Sequence, residues 1–169
     1  MNDEKNNSTG FANKILNIFK KKKKTFLSIL IILILALISI NILKIYKDDK
    51  NKKIAEKFIQ AGLLLSSKDN DKAKSLFKEI ILSKNKFYSH LSLNTLIENN
   101  LEKNKDEVLK LFEVVQKIDL DKEEMNLIKI KKALFLLKIS KIKESKKLLN
   151  EVIDDNSTWS NIALEILNL

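Results

Sequence analysis

The chain has 169 residues with no Pro, no Cys and only two Gly, and it carries a formal charge of +10. That length accommodates one modest folded domain. The shortage of helix breakers points to an all-α fold, and the missing Cys excludes a disulfide framework and a thiolate metal site. The positive charge is concentrated at the start, where residues 1–24 carry seven Lys against Asp3 and Glu4. With no Arg for bidentate base or phosphate contacts and no interleaving of aromatic and basic residues, nucleic acid is not an expected partner.

In chain order, residues 1–24 read as a short cytoplasmic basic tail. Its first ten residues, MNDEKNNSTG, are polar and disorder-prone. Phe11, Ile15, Ile18 and Phe19 then recur at helical spacing beside Lys14 and Lys20, as in a short amphipathic turn lying on a leaflet or in a plain tail. Residues 25–46 read as a transmembrane signal anchor. From Phe26 to Leu43 no residue is charged, and a helix over Phe26–Tyr46 is about 30 Å long, the thickness of a bilayer's hydrocarbon core. The hydroxyls of Ser28 and Ser39 can bond back to the preceding turn, and Asn41, Lys44 and Tyr46 lie near the exit, where headgroups are within reach. The run Lys20–Lys24 ahead of the span favours a cytoplasmic N-terminus. No small-x-small cleavage site follows, so the helix is expected to stay as an anchor, with the bulk of the chain in the periplasm of a bacterial inner membrane.

After a linker at 47–53, residues 54–169 show apolar positions at helical period between short polar breaks. The pattern predicts helices at 50–67, 70–83, 86–99, 104–117, 121–139, 142–153 and 157–169, with Asp and Ser near several starts as caps. One four-point spacing occurs three times: Ala61, Ala73, Phe77, Ile80; then Leu96, Val108, Phe112, Val115; then Ala133, Ser145, Leu149, Val152. The sets start 35 and 37 residues apart. Each couples a small or medium residue on one helix to another on its partner and adds a large side chain to fill the gap, as a helical hairpin requires. Tyr88-Ser89-His90-Leu91 is echoed by Trp159-Ser160-Asn161-Ile162, which places Leu167 in the register of a fourth hairpin.

The period and the small-to-small pairing resemble tetratricopeptide repeats in degenerate form, lacking the aromatic and glycine of a strong first helix and any closing Pro. The expected architecture is therefore one transmembrane helix followed by a tetratricopeptide-like solenoid of about three hairpins plus a terminal helix. The layout of lysine-flanked span, linker and hairpins carrying KAKSLFKEII, FYSHLSLNTLIENN and ALEILNL resembles the bacterial ancillary subunits of the SecYEG translocon, whose periplasmic domain is shared with the cell division coordinator group. The resemblance covers about residues 15–169. It implies association with the translocon and with periplasmic chaperones.

Chemistry is harder to find. His90 is the only His, and no carboxylate stands three or four residues after it to orient the ring or form a metal pair. Glu123-Glu124 and Asp154-Asp155 are adjacent rather than paired across a helix face. Two glycines, Gly10 and Gly62, make no phosphate loop. No catalytic residue, cofactor, metal or small-molecule substrate is assigned, and the expected work is protein binding, not catalysis. A candidate groove is lined by Phe58, Leu65, Leu93, Ile97, Ile130, Leu134 and Leu137, the apolar residues of the first helices of successive hairpins. Packing of helix against helix between repeats is the ordinary role of such side chains. The function expected is that of an adaptor beside the translocon; the alternative is a structural envelope protein coordinating cell-wall or division factors.

Overall fold

The computed structural model describes residues 23–168, and side chains from residue 27 onward except at 29, 40, 41 and 43. Phe11, Ile15, Ile18 and Phe19 lie outside the described residues. Among those described the fold is all-α, with α1 (Lys23–Ser66), α2 (Asn70–Leu82), α3 (Tyr88–Glu98), α4 (Lys105–Gln116), α5 (Lys122–Lys138), α6 (Ile142–Asp154) and α7 (Ser160–Leu167). The chain divides into two units at Lys50/Asn51, a boundary that falls inside α1. The linker expected at 47–53 is helical. Nothing in Lys44–Lys53 breaks a helix: there is no Gly or Pro, and residues of opposite charge stand four apart, as at Lys44/Asp48 and Asp48/Lys52.

In the first unit α1 is apolar on every side. From Leu30 to Ser66 the helix contains a window of mean hydropathy 2.2 with none of it buried, so by length and composition it can cross a membrane. Leu33, Leu35, Ile38 and Ile42 are all exposed. Ser39 Oγ donates to Leu35 O at 2.8 Å, the back-bond that makes a hydroxyl tolerable in such a helix.

The second unit, residues 51–169, is built from the repeated spacing. All twelve residues of the three sets are at most 1% exposed. Phe77 meets Phe58 of α1 edge-on at 5.8 Å, which joins the C-terminal part of α1 to α2. In the third set Ala133 and Ser145 bring α5 and α6 close, and Ser145 Oγ donates to Ala133 O at 2.9 Å. The hydroxyl thereby replaces a methyl at a contact without leaving a polar group unsatisfied. Leu96 and Val108 are larger, and α3 and α4 run close over fewer residues. Two clusters of buried side chains result. The first gathers α1 to α4 and Ile128 of α5; the second gathers Ile130 and Ala133 with α6 and α7.

The caps follow the polar breaks. Asp69 Oδ1 accepts from Lys72 N, and Asn104 Oδ1 accepts from Asp106 N (3.0 Å) and Glu107 N (3.2 Å). Asp121 and Glu124 form a reciprocal capping box, which accounts for one of the paired acids in Glu123-Glu124. With no glycine after these helices, other residues take the left-handed conformation: Lys68, Lys84, Asn100, Ser140 and Asn156 have φ between 48° and 64°. Asp69 N reaches Leu64 O, Leu101 N reaches Leu96 O and Lys141 N reaches Leu136 O, the long bond that closes a helix end over such a residue.

Candidate functional site

Ion pairs tie helices together both within and between hairpins. Lys78 of α2 lies 2.8 Å from Glu107 and 3.3 Å from Glu102, and Glu107 foremost raises the pKa of its ammonium. Glu102 is held below the usual carboxylate range first by the Asn104 N–H and then by Lys78, against the opposing effect of burial. Lys129 of α5 reaches Asp155 at 3.1 Å and Glu151 at 3.6 Å, and its hydrogen bond is the main cause of the lowered Asp155 pKa. Both lysines work as cross-links between helices.

Helices α3 and α5 are separated by an apolar groove of about 220 Å³. Its walls are Leu93 and Ile97 of α3 and Ile128, Leu134 and Phe135 of α5, with Phe112 of α4 behind them. The ring of Phe112 meets that of Phe135 at 5.9 Å. Polar atoms come only at the edge, from His90, Asn94, Lys131 and Lys138. His90 Nδ1 lies 2.9 Å from Lys86 O, in the turn ahead of α3.

Three of the seven groove residues read from the sequence, Leu93, Ile97 and Leu134, share this groove. Phe58 and Leu65 are half-buried against the first core cluster, and Phe58 stacks between Phe77 and Tyr88. Ile130 is 4% exposed and belongs to the second core cluster. Leu137 is half-buried elsewhere on α5. The period that selected these positions marks the whole apolar stripe of each helix, and α5 packs on both sides, so Ile130 and Leu134 face different neighbours. Lys131 and Lys138 were not among the expected lining. Their seven-residue spacing around Leu134 places them on the same side of α5, and that spacing is visible in the sequence.

Among the described residues no group of His, Asp or Glu could hold a metal ion. No protein-family model, curated protein or solved structure matches the chain.

Proposed function

We propose that this chain is a membrane-anchored binding protein that holds a tetratricopeptide-like helical array beside other envelope proteins and captures a partner segment in the groove between α3 and α5. The observation that carries this reading is the exposure of Leu134, 46% open to solvent on the wall of an otherwise apolar groove. A large aliphatic side chain at such a place leaves nearly half of its surface in water, where a partner's apolar side chain would cover it.

In this reading the apolar part of α1 is the anchor, the N-terminal lysines face the cytoplasm, and the array stands in the periplasm of a bacterial cell. The setting is that of an ancillary translocon subunit or chaperone-type adaptor. Confinement to a bilayer raises the concentration of the groove near another membrane complex, so a weak contact suffices. The work is binding rather than catalysis.

The test is site-specific photocrosslinking of the full chain in its native membrane. A photoreactive residue at Leu134 should give discrete adducts with secretion or envelope-assembly proteins, and one at Ile142, exposed on α6 away from the groove, should not. Leu134→Ser should leave unfolding within about 0.5 kcal/mol of the parent chain and abolish partner capture. Adducts of equal yield at both positions would sink the proposal.

A further inference from the structure

Helix α5 carries four lysines in the stretch that borders the groove and its neighbours. Lys129 is paired with Glu151 and Asp155, and Lys132 donates to Gln116 Oε1 at 2.9 Å. Lys131 and Lys138 are different: both edge the groove, and no carboxylate among the described residues lies within ion-pair distance of either. They stand seven residues apart, about 10.5 Å along the helix axis, with Leu134 and Phe135 between them. On the facing wall Asn94 gives its amide N–H to Glu98 at 2.7 Å, and that carboxylate lies outside the lining.

We infer that the occupant of the groove is an amphipathic helix of a partner protein, bearing two carboxylates beside its apolar stripe, one for Lys131 and one for Lys138. The inference rests on the groove reading above and adds the partner's chemistry to it. Charge complementarity selects the acidic residues: two ammonium groups of one helix flank an apolar strip and have no carboxylate partner among the described residues. Backbone chemistry selects the helix. An extended segment would bring N–H and C=O groups against a floor of Leu, Ile and Phe that offers neither donor nor acceptor. A helix satisfies its own backbone and presents only side chains.

The test uses the full chain in nanodiscs of neutral phosphatidylcholine and two synthetic helical peptides. One has leucines at three- and four-residue spacing and two glutamates seven apart on the edge of that stripe; its twin has glutamine in their place. The glutamate peptide should bind about fivefold tighter at low salt, the worth of two exposed ion pairs. That preference should vanish in the Lys131→Gln/Lys138→Gln variant and survive Lys146→Gln/Lys147→Gln on α6. If both peptides bind equally and Leu134→Ser weakens both, the acidic partner is wrong and the groove stands. An equal loss of preference in the α6 variant shows diffuse attraction and also overturns the inference. If neither peptide binds at up to roughly 1 mM, or if Leu134→Ser changes neither, the groove reading itself fails.

Discussion

The junction of α2 with α3 and the junction of α4 with α5 each join one hairpin to the next, yet they differ in how closely the helices approach. At the first, Ser89 is fully buried and its Oγ donates to Ile80 O at 3.0 Å, so the two backbones run close together. The α6/α7 junction uses the same device, with Ser160 Oγ donating to Val152 O at 3.1 Å. At the middle junction the corresponding residue is Asn126, seven before Ala133 as Ser89 is seven before Leu96. Asn126 is 1% exposed and its amide makes no well-formed hydrogen bond; a weak one to the Asp155 carboxylate contributes to that group's lowered pKa. The helices approach over fewer residues there, and the α3/α5 groove opens alongside. The two close junctions each carry a serine bonded to a neighbour's carbonyl, and the middle one carries a bulkier amide in its place.

The largest effect that can break this comparison comes from the two phenylalanines in matching registers. Phe77 is sealed under Phe58 and Tyr88, whereas Phe112 forms the back of the groove. Phe77→Ala should cost about 5 kcal/mol and Phe112→Ala about 3 kcal/mol, because water or a shifted Phe135 can fill the space that opens onto a groove but not an enclosed void. Urea unfolding of the full chain followed through Trp159, which packs on the second core cluster, measures both. Equal losses would mean that the middle junction is as tightly packed as the first.

Asn126 sharpens the comparison by a smaller amount. Asn126→Leu keeps the volume and removes two buried polar atoms that lack well-formed partners, and should stabilise the chain by about 1–2 kcal/mol. The same unfolding measurement decides it. A loss of stability would show that the amide is satisfied in solution, and the middle junction would then be no looser by design than the outer two.

Helix positions and the core were legible because they depend on period alone. The expected helix at 70–83 is found at Asn70–Leu82 and that at 104–117 at Lys105–Gln116, and every member of the three spaced sets is buried. The expected linker at 47–53 is helical because polar residues without Gly or Pro continue a helix well. The groove was half legible. Period places Leu93, Ile97 and Leu134 on apolar stripes, but only the packing of α5 against neighbours on two sides tells Leu134 from Ile130, four residues earlier. The left-handed turns at Lys68, Lys84 and Ser140 were not legible, since Lys and Ser carry no signal for that conformation.

Those turns supply the smallest effect, and they extend the comparison from the junctions to the hairpins themselves. Lys68 and Ser140 follow α1 and α5 at matched positions in the first and third hairpins, with φ of 63° and 64°. The second hairpin places its left-handed residue, Asn100, likewise two residues past the end of its shorter first helix. A residue with a Cβ in this conformation loses roughly 1–2 kcal/mol to the clash with its own carbonyl. Glycine escapes that clash but adds disorder to the unfolded chain, which returns about 0.4–1 kcal/mol. Lys68→Gly and Ser140→Gly should therefore each stabilise by about 0.5–1 kcal/mol. Asn100→Gly should give less, because Asn enters this region more readily than Lys or Ser. The two outer changes should add, since they lie in separate hairpins with no shared partner. If Lys68→Gly destabilises instead, the Lys68 side chain makes a contact in solution that outweighs its strain, and the first and third hairpins are not closed by the same means.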